Sequence, residues 1–404
     1  MSRGLVLLGI AIANVTVAWL MFGGGPAGPF GAVPQNTADV VVGVFNAMFV
    51  HQRGLPMFSA LLTYGLGLLL TRDARRGTPF GQARGRLLKR YLMLAAIGAV
   101  HMVFIFVGDV LVAYGLIASM IALLFLRTSD KTLLRLAIII YAVVAAGVLA
   151  LFAGELWLRA SYPEALTMIN DAITNDSAFS LVESSYPMKL LTGLLALFGT
   201  ALGGFLFQGI TFAPVMLIGF VAGRRWLLND PDQHLRLLRI IGYGGIAVSI
   251  LGGLPVGLMT MGVLGEQPWL MSPIGLSLIT GLPGGLATIA LITLACRRWQ
   301  PRAGGPTRPI PLPVQMLQAL GARSLSGYLF QSVVFFALLP PVTLGLAGRL
   351  GIATGSLLAA GVWFVSLIGA WLLARAGKRG PAETLHRWMI NGRRSAVSAG
   401  SPRH

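Results

Sequence analysis

Residues 72–135 read RDARRGTPFGQARGRLLKRYLMLAAIGAVHMVFIFVGDVLVAYGLIASMIALLFLRTSDKTLLR. From Tyr91 to Leu126 the run is almost wholly apolar, broken by His101 and Asp109. It is bounded by Lys89 and Arg90 before it and by Arg127, Lys131 and Arg135 after it. A helix crosses the hydrocarbon core with about 20 apolar residues, so this run is too long for one crossing and fits two, 91–107 and 110–126, turning at Gly108-Asp109. Cations at both ends then lie on one side, and cationic loops stay in the cytoplasm.

The same reading extends outward. Further spans are expected at 4–22, 54–71, 134–153, 204–223, 238–258, 272–296, 325–341 and 352–374. Segment 40–52 forms the outer entry to the second span, and 188–203 lies at the outer surface or dips into the bilayer. The expected fold is an all-α, polytopic transmembrane helix bundle of about ten spans with both termini inside. Residues 1–394 form one integral membrane domain, Pro301 to Pro313 a stiff cytoplasmic linker, and 395–404 a disordered cytoplasmic tail. Of the 31 Lys and Arg, only Arg53, Arg159, Lys189 and Arg349 fall on the outer side. The apolar run from Leu5 to Phe22 exceeds the roughly 7–15 residues of a secretory h-region, which predicts an uncleaved first helix.

Composition agrees: 55% of residues are hydrophobic and 11% charged, with a formal charge of +18. The basic residues sit in short loops beside apolar runs, without a basic domain or aromatic platform, so the charge is topological and no nucleic-acid partner is expected. Its partners are the lipid bilayer and, through those loops, anionic inner-leaflet lipids. Cys296 is the single cysteine and the five His lack ligand spacing, so neither a metal site nor a tightly bound cofactor is expected. The outer loop 154–187 is the acidic one and predicts a short surface helix or lid. Gly pairs four apart, Gly199/Gly203, Gly253/Gly257 and Gly351/Gly355, predict close helix packing.

Ionisable groups inside a bilayer are costly and need a reason. His101 lies eleven residues past Arg90, about 16 Å along the helix, in the outer half. Asp109 caps the fourth span, charges a site, or does both; Tyr114, five residues later, is a candidate substrate contact. His51 and Arg53, at the mouth of span 2, share a level with Asp109. Together these groups predict an outward-facing polar pocket in which Arg53 pairs with Asp109 or meets an anionic substrate, with His51 or His101 as a base. Interface snorkelling explains His51 and Arg53 equally well, and an interhelical hydrogen bond explains His101. Asn14 and the strip Tyr328, Gln331 and Ser332 read either as substrate contacts or as helix-to-helix hydrogen bonds. Arg84, Arg86 and Arg323, on the basic face, serve topology or attract phosphates.

The stretches IGAVHMVFIFVGDVLVAYGL (97–116), GARSLSGYLFQS (321–332), GKRGPAETLHRWMINGR (377–393), RGLVLLGIAIANV (3–15) and FSALLTYGLG (58–67) resemble the YeiB-like family of bacterial membrane proteins, which carry domain of unknown function 418, placed here at about 230–394. That resemblance implies a remote kinship with membrane acyltransferases, which move acyl groups from cytoplasmic acyl-CoA onto sugars across the membrane. Their first helix carries Arg, ten residues, then His or Asn, similar to Arg3 and Asn14, and their catalytic His precedes span 2, where this chain has His51. The resemblance therefore implies an inner-membrane acyltransferase-like protein with acyl-CoA as co-substrate. A permease for a small polar solute and a non-catalytic membrane scaffold are the alternatives.

Overall fold

The computed structural model describes residues 1–23, 27–28, 31–166, 168–169, 185–264, 272–299 and 309–392. The structure is an all-α polytopic bundle. α1 (Ser2–Asn14) runs on through a π turn, Val15–Trp19, and a 3-10 turn to Gly23. After a two-residue hairpin, Ala27–Gly28 with Gly31–Ala32, come α2 (Thr37–Phe49) and α3 (Gly54–Arg75). Then follow α4 (Phe80–Phe104), α5 (Leu111–Leu124) and α6 (Asp130–Ser161). α7 (Tyr186–Gly199) and α8 (Phe205–Arg224) are joined through a π turn, as are α9 (Leu235–Arg239) and α10 (Gly245–Thr260). The chain ends in α11 (Ser272–Cys296), α12 (Leu312–Ala322), α13 (Ser324–Leu338), α14 (Ile352–Arg375) and α15 (Pro381–Asn391).

Among the described residues, eight helical segments are long and apolar enough to cross a membrane, and Leu111–Leu124 and Ser324–Leu338 are shorter apolar helices. These ten occupy the ten expected positions. The helix at 186–199 differs from expectation. It continues into α8, so Tyr186–Arg224 is one long helical segment rather than a separate surface or re-entrant piece. Its first part is held against the end of α4, where Gly193 admits the backbone of Met102 and Val103. Of the loop 154–187 expected to hold a lid, the first part to Ser161 continues α6, and residues 167 and 170–184 fall outside the described residues, as do most of the proline-rich linker and the tail 395–404.

Apolar surface shows which helices face lipid. Asp130–Ser161 has a mean hydropathy of 2.7 in its most apolar window, yet only 6% of that window is buried inside the bundle. Ile138, Val143 and Leu151 on α6, with Leu202 and Phe207, point outward. In water this would be a large exposed apolar patch; in a bilayer it is the contact surface. The interior forms around α3 and α8. A Cβ at Gly219 or Gly223 would collide with the carbonyl oxygens of Ala60 and Tyr64, so these glycines set the closest helix approach. Gly199 and Gly203 face open space, so that pair packs nothing, whereas Gly253 and Gly355 meet α2 and the end of the first span.

The first helix begins and the last described helix lies at one end of the bundle. Arg3 of α1, Arg90 of α4 and His386 of α15 line a single cavity. That end also gathers Arg224 and Arg225 on Asp130, at 3.3 and 2.8 Å, and Arg86 on Asp73 at 2.9 Å.

Candidate functional site

α4 ends at Phe104 because the backbone N–H groups of Ile105 and Phe106 both turn back to the His101 carbonyl, at 2.9 Å each. The short link leads to Asp109, whose Oδ1 accepts the N–H groups of Leu111 (2.7 Å) and Val112 (3.2 Å) and so caps α5. Gly98, one turn before His101, leaves room for that capped start: a Cβ there would meet the Val112 nitrogen at 2.6 Å. The other carboxylate oxygen, Oδ2, lies 2.6 Å from His101 Nδ1 and accepts the Tyr328 hydroxyl at 3.2 Å. Asp109 therefore caps a helix and charges a buried cluster at once.

His101 and Asp109 are each 2% exposed. The His101 ring lies 5.3 Å from that of Tyr328 and meets Phe106 edge-on at 6.4 Å. With Nδ1–H directed at Asp109, a neutral imidazole carries its lone pair on Nε2, and this buried atom has no hydrogen-bond partner.

His51 and Arg53 belong to a second cluster. Between α2 and α3 the chain turns through Gln52, whose φ of 59° is in the left-handed region. That turn directs Arg53 toward α10 and α11 and away from Asp109. Its Nε donates to Ser249 Oγ (2.8 Å), Nη1 to Ser277 Oγ (2.8 Å) and to the His51 carbonyl, and Nη2 to the Ser249 carbonyl (2.5 Å). Gly253 and Gly284 make the space for its guanidinium and stem. The expected Arg53–Asp109 pair is thus replaced by hydroxyl and carbonyl oxygens, a usual way to satisfy a cation in the bilayer. His51 Nε2 lies 3.0 Å from Thr16 Oγ1. Since Thr16 gives its own proton to the Ile12 carbonyl at 2.8 Å, His51 is the donor.

Each cluster stands near a cavity. One, of about 250 Å³, is on the face opposite the basic end and is lined by Thr16, Pro34, Ala47, His51, Val256 and Ile352 among others. The second, of about 130 Å³, opens at the basic end beside Arg3, Arg90, Ser324, Glu383 and His386 and reaches inward to Phe58, Leu94 and Leu111. Leu111 is two residues from Asp109. Phe58 is one turn past Gly54, where the helix following His51 begins. The four residues expected in one outer pocket are therefore split between two clusters, one flanking each cavity's inner limit.

The remaining candidates have these places. The Tyr114 hydroxyl donates to the Leu55 carbonyl at 3.1 Å, between the rings of Phe58 and Phe212. Gln331 donates to Ser366 at 3.2 Å. Asn14 is half-buried at the end of α1. Arg86 pairs with Asp73, Arg84 is half-buried, and Arg323 donates to the carbonyls of Ala319 (3.2 Å) and Lys378. None of Arg84, Arg86 and Arg323 lines the cavity beside Arg3 and Arg90. Sequence reading missed Thr16, Ser249 and Ser277, because hydroxyls on apolar helices are common and their partners are 35, 196 and 224 positions away.

Residues 222–393 match the family described as "Protein of unknown function (DUF418)". The DUF418 match contains Ser249, Ser277, Tyr328 and Glu383, while His51, His101 and Asp109 precede it. The chain is also 22% identical, over 359 residues, to the "Uncharacterized protein YxaH" of Bacillus subtilis (strain 168), covering 87% of this chain and 82% of that protein. No solved structure matches.

Proposed function

We propose that this is a multi-pass protein of the bacterial inner membrane that acts as an acyltransferase, taking an acyl group from cytoplasmic acyl-CoA to an acceptor that arrives from outside. The observation that carries the reading is a pair of cavities, one with His51 in its lining and one at the basic end whose lining includes Leu111, two positions from Asp109. Arg3 and Arg90 give the inner cavity the charge to attract the phosphates of acyl-CoA. The outer cavity is mainly apolar and carries an imidazole on its wall.

In this reading a histidine takes the proton from the acceptor hydroxyl or amine. The acceptor oxygen or nitrogen bonds to the thioester carbonyl, the C–S bond breaks, and the CoA thiolate leaves and is protonated. His101 is oriented for such a role because Asp109 holds its Nδ1 and leaves Nε2 bare. The position of His51 in the lining of the outer cavity supports the same role for it.

The test is purified protein supplied with radiolabelled acetyl-CoA. Release of CoA or acylation of protein or acceptor, abolished by His51→Ala or His101→Ala, supports the enzyme. Absence of both, with no thermal shift from CoA compounds, overturns it. A second reading is a proton-coupled permease. It is favoured by the burial of His101, Asp109 and Tyr328 away from the lining of both cavities. Uptake into proteoliposomes that requires a pH gradient and vanishes in Asp109→Asn would establish that reading instead.

A further inference from the structure

A third cavity, of about 320 Å³, lies between α13 and α14 and belongs to neither cluster. Its floor is made of small residues, Gly327, Gly369 and Ala370, and its sides include Phe330 and Leu373. Phe330 is 40% exposed and the neighbouring Val365 56%, so the groove opens sideways where lipid chains lie. Along α14 it extends from Val365 to Leu373, about 12 Å at the helical rise.

The groove changes character at its basic end. Arg323 lines it there, and the Nε of this arginine is buried with no hydrogen-bond partner. Arg323 also donates to the Lys378 carbonyl, which ties the exposed Lys378–Arg379 turn to this end of the groove. Glu383, on the adjoining helix, is occupied: it accepts the N–H groups of Leu325 (2.9 Å) and Ser326 (3.1 Å) and the Ser326 hydroxyl. Beside this mouth α15 exposes Leu385 and Trp388, a pattern suited to the headgroup layer.

A sideways-open apolar groove ending in uncompensated cations at the membrane surface is complementary to one kind of molecule. We propose that it holds an acyl chain of an anionic inner-leaflet phospholipid, with the lipid phosphate at Arg323 and the Lys378–Arg379 turn. A free soluble anion would satisfy the cations and leave the groove unfilled. The inference is independent of the acyl-transfer reading.

The structure supplies a clean test. A Cβ at Gly369 or at Gly361, two turns earlier on α14, meets nothing within 4 Å. Leucine is therefore tolerated at both positions, but only at Gly369 does it fill the groove. Purified protein is incubated in detergent with phosphatidylglycerol or phosphatidylcholine of equal chain length, and retained lipid is counted by native mass spectrometry. Wild type and Gly361→Leu should retain phosphatidylglycerol over phosphatidylcholine, and Gly369→Leu should lose it while melting at the wild-type temperature. Arg323→Gln should weaken retention about fivefold, the effect of one interfacial charge. Equal retention by Gly369→Leu and wild type, or equal retention of both lipids, overturns the proposal. So does displacement of the lipid by added acetyl-CoA, which would assign the cations to that compound.

Discussion

His101 Nδ1 lies 2.6 Å from Asp109 Oδ2, with both side chains buried in the bundle and Asp109 Oδ1 committed to the first N–H groups of α5. One carboxylate thus orients an imidazole and starts a helix. The two jobs separate by substitution. Asparagine keeps a capping oxygen but removes the charge opposite His101. Alanine removes both. Asp109→Asn is expected to fold and to lose activity by about 10²–10⁴-fold if His101 is the base. Asp109→Ala should lose about 0.5–2 kcal/mol more stability than Asp109→Asn, the cost of an empty helix cap, seen as a lower melting temperature in detergent. Equal melting of the two variants would refute the capping argument.

Arg53 is a buried cation whose hydrogen bonds go to Ser249, Ser277 and two carbonyls. Ser249→Ala and Ser277→Ala each leave a guanidinium N–H without its acceptor and should cost about 1–3 kcal/mol. The double variant should deviate from additivity because both serines serve one group. Thermal melts of the three proteins check this. Wild-type melting in all of them would show that Arg53 finds other partners.

The α3–α8 contact rests on glycines facing carbonyl oxygens. Gly219→Leu and Gly223→Leu should each force the helices apart at a cost of about 1–3 kcal/mol or more. Gly203→Leu, with open space at that position, should melt like wild type. If Gly203→Leu proved as damaging as Gly219→Leu, the packing described would be incorrect.

His386 docks α15 by donating from Nε2 to the Arg90 carbonyl at 2.8 Å. Burial holds its pKa below the ordinary imidazole value, outweighing the raising effect of that hydrogen bond. The undocked helix therefore binds the proton more readily, so acid favours undocking. The contribution of His386 is complete above about pH 6.5 and is lost as pH falls from there through the depressed folded value. Trp388 fluorescence should report undocking on acidification, and His386→Gln should flatten the response. A shift in the opposite direction would contradict the assignment.

Topology is checked by single cysteines in a Cys296→Ser background. A thiol at Thr78, between basic segments, should resist an impermeant reagent in intact cells, while one at Leu344, 66% exposed at the opposite end, should react. The reverse pattern would invert the map and exchange the faces of all three cavities.

Most of the fold was legible because bilayer insertion is governed by local quantities. Length, apolarity and flanking charge placed all ten apolar helices, including α5 and α13, which have only 14 and 15 residues. The segment at 188–203 misled because 188–223 is long for one crossing yet must cross an odd number of times, whereas its helix simply continues through a π turn at Thr200–Gly204. Asp109, His101 and Tyr328 were each visible as costly residues in apolar helices. That Tyr328, 219 positions away, closes on the same oxygen as His101 was not.

The amino-acid sequence alone determined the number of long apolar helical segments, the end that carries the charge, and which ionisable groups lie within apolar helices. These follow from hydropathy and charge over windows of a few turns. Tertiary packing decided the partners: Arg53 with Ser249 and Ser277 rather than Asp109, His51 with Thr16, and Gly219 and Gly223 rather than Gly199 and Gly203 at the tightest contact. Those choices depend on the rotation of each helix about its axis and on single left-handed or π turns. A local pattern does not encode them, because every face of such a helix is nearly equally apolar.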